Sequence, residues 1–231
     1  MTTSEFSNEF DTLIQSYMIS EDFRNQNISA FTEYEKSVFL TKAQEEIILE
    51  IYKGIGEFNS FESSEESRRL LNSLIETSEL DPLTNSEIGT IGDKSYLFSL
   101  PENIMFITYE AVLFNDNSIT CGTSKYIPVS VISQDEIHKI LENPFRKSSK
   151  NRVLRLDTKN NTVEIISEYQ INKYIIRYLK VPSPILLIDL FDDLSINNVN
   201  VKSECLLDKS LHRRILDRAI VLALASKNIN K

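Results

Sequence analysis

The residues that could do chemistry are few, and their spacing does not assemble a site. The chain has two histidines, His138 and His212, and two cysteines, Cys121 and Cys205. Neither histidine stands in an H-E-x-x-H run or at a cysteine spacing that builds a zinc site. Both read as structural or solvated side chains on helices. A Cys121/His138 nucleophile pair needs local support for its thiolate, and none surrounds either residue. Asp189, Asp192 and Asp193, with Asn197 and Asn198 beyond, supply the oxygen ligands a divalent cation takes. Their spacing is not that of a calcium loop and no turn glycine accompanies them, so they read as a solvated acidic turn. Gly89-Thr90-Ile91-Gly92-Asp93-Lys94-Ser95 imitates a phosphate loop, but Asp93 stands where glycine must precede the lysine and would repel a phosphate. Gly54-Ile55-Gly56 follows a helical pattern rather than a strand, which fails the dinucleotide context. The expectation is a protein with no catalytic residue, no cofactor and no metal.

Charge is the stronger signal. The net charge of −9 conceals a segregation: residues 1–92 carry 18 acidic and 6 basic side chains, and residues 145–180 carry 3 acidic and 9 basic. Such a molecule can stack head to tail or show opposite faces to different neighbours. An acidic chain is a poor ligand for free nucleic acid, where phosphate neutralisation dominates affinity. Arg146, Lys147, Lys150, Arg152 and Arg155 form the one dense basic group, an anchor for an acidic partner surface or a solvated loop. Tyr174 and Tyr178 share one face of a strand and join the candidate interface, as do Phe6 and Phe10 of an N-terminal helix.

These groups need an α+β fold to position them. Phe6, Phe10, Leu13, Ile14 and Tyr17 recur at helical spacing, with Ser4 as the expected cap. A second helix runs from about Glu33 to Lys53, opened by a Thr32/Glu35 capping box and closed by Gly54. A third is expected over Ser64–Ser78, and residues 79–93 read as a linker. From Lys94 the period becomes that of strands: Ser95–Leu100, Met105–Phe114, Ile119–Val131, Arg152–Leu156, Thr162–Ser167 and Lys173–Val181. Asn115-Asp116-Asn117 and Lys159-Asn160-Asn161 are expected turns. A second capping box, Ser133/Glu136, opens a short helix stopped by Pro144, and Ile185–Ile188 is a further extended run. Asp208 caps a C-terminal helix whose apolar face is expected to dock on the sheet. The expected division is a helical region or arm, 1–92, and an α+β core domain, 93–231, mostly antiparallel with a short inserted helix.

At 231 residues and 41% hydrophobic content, such a chain buries roughly 70% of its unfolded surface and needs no disulfide or metal. Two distant cysteines read as reduced thiols of a cytoplasmic protein. The longest apolar run, Ala219–Ala225, is too short to span a bilayer, and the N-terminus lacks a signal-peptide layout.

Three stretches together resemble a known family. They are VISQDEIHKILENPFRKSSKNRVLRL, KYIIRYLKVPSPILLIDL and ECLLDKSLHRRILDRAIVLA. They are similar to the head-to-tail connector (neck or ring) proteins of tailed bacteriophages, most of all those of crAss-like phages of gut Bacteroidota. The residues that carry this are Asp135-Glu136, Asn143-Pro144-Phe145, Arg152 to Leu156, Tyr178 to Ile185 and Glu204-Cys205-Leu206 to Ala219. Tyr34 to Ile48 belongs with them, residues 55–125 match least, and Leu179-Lys180 replaces the usual arginine after the strand tyrosine. The resemblance implies a structural virion protein with no enzymatic activity. It would form a ring of about twelve copies below the portal, joining capsid vertex to tail. Its implied partners are further copies of itself, the portal protein and neighbouring connector or tail proteins. Genomic DNA would be passing cargo during ejection, with no membrane involved and assembly in the host cytoplasm. The N-terminal helices would be the arm that reaches neighbours. From the residues alone, the rival reading is a cytoplasmic protein–protein adaptor module without catalytic activity.

Overall fold

The computed structural model describes residues 1–18, 30–83, 94–115, 126–159, 161–191 and 194–228. The chain forms two compact units, Met1–Leu74 with Pro182–Lys231, and Ile75–Val181. The class is α+β as expected, but the grouping differs from a division at residue 92. The C-terminal helix α5 (Lys209–Asn228) packs on α2 (Glu33–Lys53) and α1 (Thr3–Met18), within the helical unit. An apolar helical stripe does not specify its partner; here the stripe of α2, Leu40, Ala43, Ile47 and Ile51, is buried along with Leu211, Ile215 and Ala219 of α5.

Local chemistry sets the ends of these helices. Thr32 and Glu35 form the reciprocal capping box of α2, and Gly54 closes it in the left-handed region at φ 71°. A Cβ at Gly54 would sit 2.5 Å from the Ser60 nitrogen, so no other residue fits. The cap of α1 is Thr2, not Ser4: the Glu5 N–H donates to Thr2 Oγ1 at 3.3 Å and the Thr2 N–H to the Glu5 carboxylate at 2.7 Å. Glu5 stands three residues after Thr2, the spacing the motif requires. Asp208 caps α5, accepting from the Ser210 N–H at 2.9 Å.

The expected extended run at Ile185–Ile188 is held against a helix. Ser37, Thr41 and Gln44 lie on one face of α2 and are buried. The Leu187 and Ile185 N–H groups donate to Ser37 Oγ and Thr41 Oγ1, and Gln44 Nε2 donates to the Ser183 carbonyl. Three hydroxyl and amide side chains thus supply the partners a neighbouring strand would give. Buried Lys36 ties α1 to α2, its ammonium lying 2.7 Å from Asp11 and 2.8 Å from Glu33.

The second unit is a seven-stranded sheet ordered β1-β7-β3-β4-β5-β6-β2. Its strands are β1 (Ile75–Leu80), β2 (Ser95–Ser99), β3 (Ile104–Phe114), β4 (Ile127–Ile132), β5 (Val153–Asp157), β6 (Thr162–Ile166) and β7 (Ile171–Lys180). All pairs are antiparallel except β4–β5, whose parallel crossover carries α4 (Ile137–Glu142). The third helix, α3 (Glu65–Leu70), is shorter than its expected span; a 3₁₀ turn at Asn72–Leu74 follows, and Ile75 onward pairs with β7. The Ser133/Glu136 box does not form: Glu136 makes no side-chain cap, and its N–H bonds the Ser133 carbonyl in a turn.

The sheet curls on itself. The Leu83 N–H, just after β1, bonds the Leu97 carbonyl of β2, and Phe98 meets Tyr174 with ring centroids 5.2 Å apart. Inside lie Phe98, Val112, Phe114, Val153, Ile165, Tyr174, Ile176 and Tyr178. Outside, α4 lays Ile137 and Ile140 on Leu154, Leu156 and Ile166.

One seam of the curl lies between β3 and β4. Among the described residues they pair at Ala111–Pro128 and Val112–Ile127, and proline has no N–H to donate. Across this seam the buried Arg155 guanidinium of β5 bonds the Glu110 carboxylate of β3. Tyr174 Oη donates to the other Glu110 oxygen at 3.1 Å, and Asp157 holds Arg155 from the far side at 2.8 Å. Burial pushes the Glu110 carboxyl above its ordinary range despite the attraction of Arg155. Such a pair fixes geometry more than it adds net stability.

Removing one partner strands a buried charge, so Arg155→Ala or Glu110→Ala each lowers unfolding free energy by about 3–5 kcal/mol. Arg155→Met with Glu110→Leu recovers most of that loss. Urea unfolding of all four proteins measures it, and additive single effects would show the two side chains to be uncoupled.

Candidate assembly surfaces

The structure sorts the nine candidate interface residues into two groups. Phe6, Phe10, Arg155, Tyr174 and Tyr178 are buried in their own units. Phe6 packs on the His212 ring at 5.5 Å, and Phe10 meets Phe31 edge-on at 5.8 Å. Helix α1 is therefore docked on α5 and α2 rather than extended as a free arm. Tyr178 Oη donates to Glu76, which also accepts from Lys180 at 2.8 Å. The Lys180 bond is the main cause that draws the Glu76 carboxyl below its usual value.

Arg146, Lys147, Lys150 and Arg152 lie in the loop after α4, and the loop is built. The Asn143 side chain accepts the Phe145 N–H at 2.9 Å, and the Arg146 and Lys147 N–H groups bond the Asn143 carbonyl. The Arg152 guanidinium donates to the carbonyls of Phe145, Arg146 and Lys147. Ser149 and Arg152 close the loop with paired backbone bonds. Lys147 reaches Glu168 at 2.9 Å, and Arg146 stays open to solvent. Phe145 is held outward with 92% of its surface exposed.

Two further surfaces escaped the sequence reading. The first is a long hairpin. Leu186 and Ser203 exchange backbone bonds, the Leu190 N–H bonds the Asn200 carbonyl, and Ile196 and Val199 pair across a two-residue turn. Asn197 and Asn198 hold φ 51° and 62°, the double left-handed turn that suits a hairpin. Asp189, considered above as a metal ligand, accepts the Lys202 N–H at 2.7 Å. Ile188, Phe191, Leu194 and Val201 point to solvent, Phe191 with 85% of its surface. The Asn-Asn pair inside an apolar run was the readable signal. The second surface is the outer face of β1, β7 and β3, where Tyr109 and Tyr126 are about half exposed beside Arg177 over a floor of buried Ile175.

Of the two cysteines, Cys205 is described, and its thiol is held protonated. Burial pushes the Cys205 thiol up to about 11, and its Sγ lies 3.3 Å from Gln44 Oε1. Cys121, Asp192, Asp193 and the Gly89–Asp93 run lie outside the described residues, as does most of the Asn115–Asn117 turn. Among the described residues no group of three or more His, Cys, Asp or Glu could hold a metal, and no helix is long and apolar enough to cross a membrane.

Several polar side chains brace the backbone, as Ser37, Thr41 and Arg152 do. The chain belongs to the phage tail ring protein 3/4 family, whose model matches residues 1–231. It is a structural bacteriophage protein of the virion and not an enzyme. The chain is 44% identical over 229 residues to Ring protein 3 of Bacteroides phage crAss001, covering 98% of this chain and 96% of that protein. It is 32% identical over 236 residues to Ring protein 4/5 of the same phage, covering 98% and 93%.

His212 links acidity to the helical unit. Its Nε2 lies 3.1 Å from the Leu207 carbonyl, and the Met1 nitrogen lies 2.5 Å from Nδ1. Burial is the main cause that lowers its pKa below 6.5. The folded state therefore favours neutral imidazole. Its contribution is complete above 6.5 and is lost as pH falls through the depressed value. The urea midpoint of the wild type should drop between pH 7.5 and 5 by more than that of His212→Gln. Equal drops would place the acid sensitivity elsewhere.

Proposed function

We propose that the chain assembles as a closed ring of identical copies, about twelve in number, in the portal–tail connector of a tailed bacteriophage. The ring joins the capsid vertex to the tail and leaves a lumen through which the genome passes during ejection. The 44% identity to a protein named as a ring protein, across almost the whole chain, carries this reading. The segregated charge supports it, since an acidic segment of one copy and the basic 145–180 segment of the next attract. A net charge of −9 suits a channel past which DNA slides without sticking.

The exposed loop bearing Arg146, Lys147, Lys150 and Arg152 meets an acidic protein neighbour rather than the DNA. Much of its charge is already engaged: Arg152 binds three carbonyls and Lys147 binds Glu168. The partners above and below are the portal protein and other connector or tail proteins, and assembly takes place in the host cytoplasm.

Native mass spectrometry of the purified chain, alone and mixed with the portal protein of the same phage, tests this. A single closed species of about twelve copies is expected in at least one sample, weakening as salt rises. A monomer that ignores the portal protein at every concentration would overturn it.

A further inference from the structure

Two ten-residue segments carry opposite and unmixed charge. Residues 57–66 hold four carboxylates and no cation, and residues 143–152 hold four cations and no carboxylate. The cationic segment is the loop after α4, and its own bonds set its shape. The Asn143 side chain and the Arg152 guanidinium hold its backbone, and Phe145 projects with 92% of its surface exposed. Arg146 beside it is largely exposed and lies 3.9 Å from Glu136, and Lys147 pairs with Glu168. With both of those carboxylates counted, the loop keeps two positive charges in excess. An aromatic ring on a loop already ordered loses little entropy on docking.

The acidic segment borders a cleft of the helical unit. Where α3 meets the start of α5, a cavity of about 590 Å³ is lined by Glu65, Glu66, Arg69, Leu70, Asp208 and Ser210. A cavity of about 150 Å³ already takes up benzene, so a phenylalanine ring has room here. Glu65 and Glu66 are exposed, and among the described residues no cation pairs with either. Asp208 is engaged as the cap of α5. Arg69 is the cation of this lining, and Lys209 belongs to the adjoining cleft. Three carboxylates against one guanidinium leave the lining two negative charges in excess. Leu70 supplies an apolar floor, and an arginine beside it suits the face of an aromatic ring.

We infer that the Phe145 loop of one copy of the chain docks in this cleft of the next copy. Phe145 lies on Leu70 with the Arg69 guanidinium against its ring, and Arg146 meets Glu65 and Glu66. The occupant is a second copy because both halves of the match belong to this one chain, equal in charge excess and opposite in sign. Loop and cleft are different patches, so the contact is head to tail, the type that repeats from copy to copy and closes as a ring. The inference rests on the ring reading and names the contact that builds it.

The test compares four full-length variants in whichever sample assembles. They are Phe145→Ala, Arg146→Glu, Glu66→Lys, and Arg146→Glu combined with Glu66→Lys. All three side chains are exposed, so circular dichroism and thermal melts should stay close to those of the wild type. Across a dilution series in native mass spectrometry, each single variant should associate more weakly by about tenfold or more. The combined variant restores an opposite pair at every contact and should recover most of that loss. Wild-type assembly by any single variant would overturn this contact and leave the ring reading standing. So would a combined variant that recovers nothing, since the loop would then meet a different protein. A wild type that never assembles, alone or with the portal protein, would remove the ring reading itself.

Discussion

The structure of the β unit depends on one buried ion pair. Arg155 and Glu110 meet across the β3–β4 seam, where one of the two residue pairs among the described residues involves a proline. β4 runs along β3 for Ile127 and Pro128 and then along β5 for Val129 to Ile132, so it turns the corner of the curled sheet. At that corner β4 leaves β3, and the ion pair braces β5 against β3 through side chains. Tyr174, fully buried, fixes the second oxygen of Glu110, and burial raises its own phenol far above the ordinary range. The pair specifies where β5 lies against β3. A shift of one residue would bring Leu154 or Leu156 to the same place and leave Glu110 without its cation.

The helical unit answers a similar need differently. The segment after β7 must cross α2, and α2 offers Ser37, Thr41 and Gln44 where a fully apolar stripe would leave backbone groups unpaired. Exposed ion pairs then decorate the helix faces: Arg218 with Glu46, Arg214 with Glu57 and Arg213 with Glu9. Each adds little alone. The β unit carries a projection that is ordered before any partner arrives, the Phe145 loop, held by backbone and side-chain bonds. A subunit that must join many copies gains from such preorganisation, because little ordering is left for the moment of contact.

Much of the fold was legible where a residue acts on its immediate neighbours. The Thr32/Glu35 box, Gly54 and Asp208 marked their helix ends because capping is a local matter of three or four residues. Strand periods placed β2, β3, β5, β6 and β7 to within two residues. What depended on distant partners was not legible. Arg155 sits in a run of cations and reads as surface, yet Glu110, 45 residues earlier, draws it inward. Ile75–Leu80 continues a helical pattern until β7, a hundred residues on, offers it a ladder. Phe6 and Phe10 were correctly set on one apolar face, but the face could not say whether its partner was another copy or α5. The family resemblance was sound because it rested on combinations of motifs, and its full extent, residues 1–231, exceeded the stretches that suggested it.

The central claim is that this chain is a ring subunit of the virion rather than a soluble adaptor of the infected cell. Electron cryomicroscopy of purified phage particles tests it most directly. The account predicts a closed ring of full-length copies at the tail vertex, its lumen open to the genome, with the curled sheet and helical unit intact in every subunit. Virions that lack the chain, or carry it as scattered copies without rotational symmetry, would contradict it.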